Sequence, residues 1–324
     1  MENTNEDALF RARSPRSCVR LGCQLYLSNF RRLAKATCLP AAVFAIATGV
    51  LDTITVIQFP RLNIAALVNP ETAYTLLADY LALAVAALCA FVVGGLAEAS
   101  AYGTTFKMLD EHRSTGLIPR HEKWLQFNKS WTWRCLKGAL SSLAVCLLLA
   151  ALCGAIVAGI AIGVNKLGGQ ELVGDMVVVV LSGIASLCIV TPLLYMFTAY
   201  MLNHKLAYWP SAFKSFRIGL RHFGLLFIAS LITIVFVGIV GVIISMPALV
   251  VGLANTIANT GLLYGDPLGM PSYITALTAV AMAFAGFVAL MCRCLVLFVF
   301  YYAYGTITTL EEEKEQFNKE TLNN

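Results

Sequence analysis

The chain has 324 residues, of which 59% are hydrophobic and only 13% charged, with a formal net charge of +5. An ordinary soluble domain carries about 25% charged residues, and a water-soluble fold cannot hide this much apolar surface. The mild basic excess does not point to nucleic acid, because Lys and Arg flank apolar runs, where they set membrane topology.

The apolar residues come in continuous runs of about 20, matching a hydrocarbon layer of about 30 Å at about 1.5 Å per residue. A β-barrel would need shorter, alternating segments. The expected fold class is therefore all-α, a polytopic transmembrane helical bundle of six spans. Residues 1–37 form a basic N-terminal segment, 38–302 the membrane domain and 303–324 an acidic tail. No apolar run precedes residue 38, so the first span is expected to remain as an anchor and not be removed as a signal peptide.

In chain order the spans run roughly Leu39–Phe59, Thr75–Ala101, Gly138–Val164, Leu172–Leu202, Gly219–Met246 and Ile274–Tyr302. Twenty of the 23 Lys and Arg fall on one side of this layout. They lie in the N-terminal segment, the loops after spans two and four, and the tail. Arg61 and Lys166 lie opposite, and Arg293 lies within span six. By the positive-inside rule the basic side is cytoplasmic, with both termini inside a bacterial inner membrane. The spans pair into three hairpins.

Each hairpin is preceded by a segment that mixes aromatic and basic residues. The first holds Tyr26, Phe30, Arg31, Arg32 and Lys35. The second holds Trp124, Trp131, Trp133, Arg134 and Lys137. The third holds Trp209, Lys214, Arg217 and Arg221. These segments are expected to lie as amphipathic helices in the interface, contacting anionic phospholipid headgroups. Close helix packing is expected at Gly94, Gly95, Gly154, Gly159, Gly163, Gly183, Gly238 and Gly241. The turn formers between Pro247 and Ser272 predict a long outer connector, with a cap over the bundle as the alternative.

Four polar features interrupt the spans: Asp52, Glu98, Thr191-Pro192 and Arg293. Counting from the inner ends of their spans puts Asp52 about 20 Å up and Arg293 about 14 Å up. Their side chains lean toward each other. An Asp52–Arg293 pair is expected, with Glu98 as the alternative partner if Arg293 reaches toward the cytoplasm. Such a pair acts as a clamp between first and last spans or as part of a transport path.

Neither the four histidines nor the ten cysteines show metal-ligand spacing, and no nucleophile, phosphate-loop or metalloprotease motif is present. No cofactor or metal is expected, and the cysteines read as small apolar residues. Phe213-Lys214-Ser215-Phe216-Arg217 leading into Arg221-His222-Phe223-Gly224-Leu225-Leu226 resembles six-span bacterial membrane proteins. Those are similar to the membrane domain that accompanies some glycerophosphodiester phosphodiesterases. The resemblance implies an accessory or structural membrane role. It carries over no catalytic residue, because this chain has no soluble phosphodiesterase domain. A non-enzymatic protein engaging lipid, a protein partner or a second copy is the leading expectation. A small-solute or ion transporter using Asp52 and Arg293 comes second, and a lipid-active enzyme last.

Overall fold

A computed structural model of the chain describes residues 9–68, 73–118, 128–166, 171–204, 207–263, 271 and 273–323. In order these form α1 (Pro15–Ser28), α2 (Phe30–Val68), α3 (Ala73–Thr115), α4 (Lys129–Lys166), α5 (Glu171–Leu202), α6 (Tyr208–Arg221), α7 (Phe223–Leu263) and α8 (Tyr273–Asn323). No strand occurs among the described residues. Six helices, α2, α3, α4, α5, α7 and α8, are long and apolar enough to cross a membrane. Lipid offers the backbone no hydrogen-bond partner, so a spanning segment must satisfy its amides internally, as a helix does.

The packing follows a three-fold scheme. Each odd span packs on the even span that follows it: α2 on α3, α4 on α5, α7 on α8. Each even span then packs on the next odd span in a closed ring: α3 on α4, α5 on α7, α8 on α2. The even spans α3, α5 and α8 also meet one another. Three polar residues mark where each unit begins. The carbonyls of Asn29, Asn128 and His222 accept from the amides of Leu33, Thr132 and Leu226 at 3.0, 2.9 and 3.2 Å. Each even span carries an Ala-Tyr step, Ala101-Tyr102, Ala199-Tyr200 and Ala303-Tyr304, with every alanine buried.

The first and third units match in finer detail. Helices α1 and α6 are both 14 residues long, and each is followed by a single break residue and a Phe. Leu33 and Leu226 are both fully buried, as are Ala36 and Ala229. Thr37 and Ser230 then donate their hydroxyls to the carbonyls of those same leucines, at 2.8 and 2.7 Å.

The core lies at the basic end of the bundle. Phe106 and Phe197 meet edge-on at 5.6 Å between centroids. Tyr301 is fully buried and bonds His112 at 3.0 Å. Toward the opposite end the helices expose large apolar side chains such as Leu148, Ile243 and Val280, as a lipid-facing surface does. The tail is not a separate element, because α8 continues without a break and stays buried through Ile307.

Several sequence expectations need correction. The first aromatic-basic segment straddles the break at Asn29, and α1 begins earlier, at Pro15. Tyr26 is no lipid anchor: its hydroxyl donates to the Met291 carbonyl at 3.0 Å and its ring meets Phe298. Helix α1 lies along α8, with Gly22 against the Val299 backbone and Cys18 beside Thr306. In the second segment the described part, from Lys129 onward, is the first turns of α4, while Trp124 lies outside the described residues. The long outer connector shrinks, because Pro247, Asn255 and Asn259 all belong to α7, which runs to Leu263.

The expected glycine contacts mostly fail. A Cβ on Gly95, Gly154, Gly183, Gly238 or Gly241 would meet nothing within 4 Å, and Gly159 and Gly163 lie where side-chain surroundings are not described. Gly94 makes ordinary contact with Phe44. The close approaches are elsewhere: Gly49 on the Ala283 backbone, Gly103 on Trp131 and Thr132, and Gly138 on Tyr200. Small residues matter where backbones cross, and a glycine count along a span does not reveal the crossing.

A Cβ on Gly49 would sit 2.7 Å from the Ala283 amide nitrogen. Gly49→Val is therefore expected to push α2 from α8 and cost about 1–3 kcal/mol. Gly95→Ala, in open space, should be neutral or stabilising by up to about 1 kcal/mol. Thermal unfolding of the two purified variants beside wild type checks the contrast.

Candidate functional site

The charged centre joins three helices. Arg293 of α8 donates from Nη1 to Glu98 Oε1 of α3 at 2.9 Å, and Tyr102 donates its hydroxyl to the same oxygen at 2.7 Å. From α2, the Phe44 ring lies 5.6 Å from the guanidinium. The arrangement satisfies the carboxylate with two donors and covers the cation with an aromatic face.

The partner of Arg293 is thus Glu98, the alternative, and not Asp52. Helix register explains why. Gly49 sits on Ala283 and Gly286 on Ala45 and Thr48 of the antiparallel α2. Seven residues further along α8, Arg293 is level with the turn around Leu39 to Ala41. Asp52 is then about 18 Å away along the helix axis. Gly94, beside Phe44 and Ala47, brings Glu98 to the same turn as Arg293. The depth count from sequence erred because it took Leu39 and Tyr302 as level, whereas the same register sets Tyr302 beside Phe30, where α2 begins. Asp52 is exposed on the side of a groove between α2, α7 and α8 of about 500 Å³, with Arg293 also in its lining. No cation lies within ion-pair distance of Asp52 among the described residues.

The basic residues expected at the interface divide into two groups. Some bind the protein itself. Arg32 donates to the Ile118 carbonyl at 2.8 Å. Arg134 donates to the Tyr200 and Asn203 carbonyls, and Arg113 to the Leu202 carbonyl at 3.0 Å. Both cap the C-terminus of α5, where unpaired carbonyls favour cations. Arg221 and His222 both reach Glu311, at 2.9 and 2.8 Å, tying the α6–α7 break to α8. Trp131 is half-buried against His204.

The other group faces outward. Arg31, Lys35, Trp133, Trp209, Lys214 and Arg217 are exposed. Lys137 Nζ lies 5.3 Å over the Trp133 ring. Helix α6 buries Tyr208, Ser215 and Gly219, the last against Pro192 and Tyr195 of α5. Its opposite face presents Trp209 (64% exposed), Phe213 (79%) and Leu220 beside Lys214 and Arg217. Sequence reading found these residues but could not say which of them the fold consumes.

A second groove, about 470 Å³, runs between α3 and α4 and ends on Glu98 and Tyr102. Both grooves have mainly apolar walls. All ten cysteines are free thiols. Burial pushes the Cys18 and Cys23 thiols above their ordinary value, so they are poor nucleophiles at neutral pH. No group of three metal-ligating side chains occurs among the described residues. Comparisons with protein-family models, curated proteins and solved structures found no match.

Arg293→Leu leaves Glu98 without its cation and is expected to cost about 1–2 kcal/mol. That is less than the roughly 3–5 kcal/mol of a fully buried pair, because half of Arg293 is open. Glu98→Leu combined with Arg293→Leu should recover most of the loss, and Asp52→Asn should leave the unfolding midpoint unchanged. Unfolding of the three variants in one detergent reads all three outcomes.

Proposed function

We propose that this chain is a non-enzymatic membrane protein that gathers anionic phospholipid at its basic end and serves there as a structural or accessory platform. The observation that carries the reading is the outer face of α6. Trp209, Phe213 and Leu220 stand exposed beside Lys214 and Arg217, where the chain enters the long apolar α7. Large aromatics in water are costly. At a bilayer surface they sit at the acyl boundary while the cations meet phosphate. The basic end then faces the cytoplasm by the charge bias of the loops, and the membrane is the bacterial inner membrane. An accessory role agrees with the resemblance to membrane domains that accompany phosphodiesterases.

A transport reading finds less support. The inner helices α3, α5 and α8 close on packed aromatic side chains at the basic end, Phe106, Phe197 and Tyr301. Asp52 and Arg293 are offset by about 18 Å along the helix axis and share only the side groove between α2, α7 and α8.

The test is the composition of phospholipid extracted with the full chain in polymer-bounded native membrane discs. Wild type should be enriched in phosphatidylglycerol over the bulk membrane. Each cation near an anionic surface contributes about 1 kcal/mol, so Lys214→Gln with Arg217→Gln should reduce the enrichment several-fold. Wild-type discs that match the bulk membrane would contradict the proposal.

A further inference from the structure

The α3–α4 groove opens where the corresponding α8–α2 seam is shut. In the three-fold scheme the α3–α4 seam is equivalent to the α8–α2 seam. The latter is shut by Gly49 and Gly286, whose Cβ positions fall within 3 Å of the opposing helix. The α3–α4 seam is just as close at the basic end, where a Cβ on Gly103 would fall 2.9 Å from the Thr132 amide nitrogen. Further along, the helices part. Gly95 faces no atom within 4 Å and lines the opening instead.

The walls of that opening are hydrocarbon, chiefly Phe91, Leu96, Leu136, Leu140 and Leu143, with Phe91, Leu96, Leu140 and Leu143 exposed sideways toward the bilayer. From Phe91 to Tyr102 the groove follows about 16 Å of helix. Its floor is neutral overall, because Glu98 already holds Arg293 and Tyr102. A free cation stands beside the basic end. Lys137 follows Leu136 on α4 and lies one turn before Leu140, outside the groove's lining; it is exposed and has no carboxylate within ion-pair distance among the described residues. Trp133, one turn before it, supplies an aromatic shelf.

A narrow hydrocarbon slot with one cation at one end fits an amphiphile with an anionic head. We propose that this groove holds one acyl chain of an anionic phospholipid of the cytoplasmic leaflet, its phosphate at Lys137 and Trp133. The inference rests on the lipid-engaging reading above and adds a defined, stoichiometric site to it. The acyl chain fills the seam that glycine closes on the other side of the bundle. It also excludes water from the Glu98 side of the charged centre.

Native mass spectrometry of the purified full chain, titrated with phosphatidylglycerol or phosphatidylcholine, tests the site. Wild type should retain one phosphatidylglycerol. Gly95→Trp, or Ala139→Phe as a second filler, should lose it while unfolding at the wild-type temperature. Lys137→Gln should keep a lipid but lose the preference for phosphatidylglycerol by about fivefold. The retained lipid should survive Lys214→Gln with Arg217→Gln, which separates this site from the α6 surface. The site is overturned if both fillers keep the lipid. It is equally overturned if they turn a dimer into a monomer, which makes a second copy the occupant. A wild type that holds no phosphatidylglycerol sinks both the site and the platform reading.

Discussion

The structure depends on how three apolar helices meet at one end. Helices α3, α5 and α8 come together through Phe106, Phe197 and the buried tyrosines of α8. Lipid gives no hydrophobic reward for helix association, so the contact must come from close packing and shared hydrogen bonds. Glycine supplies the packing where α2 and α4 cross onto these three helices, at Gly49, Gly103 and Gly138. Arginine supplies much of the bonding, since Arg113 and Arg134 both reach the open carbonyls of α5. The remaining spans wrap this triad and turn their large aliphatic side chains outward.

That arrangement bears on function. A bundle packed on its own axis handles what it handles at its sides and at its basic rim. The two sizeable grooves agree with this, for both lie between helices and have mainly apolar walls. The charged centre divides them, with Glu98 lining one and Arg293 the other. An ion pair in that position holds three helices in register and keeps the polar floor of the α3–α4 groove neutral.

The helical bundle, its six spans and the aromatic-basic entry of α6 were legible from apolar run length and from where Lys and Arg fall. The pair at Arg293 was legible only as a choice of partners. Choosing between Asp52 and Glu98 needed the axial register of α2, α3 and α8, and that depends on which glycine meets which backbone. A repeat was read from the basic, aromatic pattern before each hairpin, and only the third of those segments forms a helix of its own, α6. The repeat's sharper markers, the break residues Asn29, Asn128 and His222 and the Ala-Tyr steps, are short and separated by unequal lengths of apolar sequence. Tyr26 looked like an anchor because an aromatic beside a basic cluster has the same composition whether it faces lipid or the Met291 carbonyl. The ends of α8 and α7 were misplaced because apolar composition stops before the helix does, or because Pro and Asn resemble loop residues.

The even spans α3, α5 and α8 form a closed inner triad at the basic end. Thr105 of α3 stands beside Cys294 of α8, with Oγ1 and Sγ 3.8 Å apart. The direct measurement is therefore oxidation of a Thr105→Cys variant that keeps Cys294, with the other cysteines replaced by alanine. Both thiols are expected to disappear together from the monomer, as an intramolecular disulfide between α3 and α8. Two thiols that persist under oxidation, or that link separate chains, would contradict it.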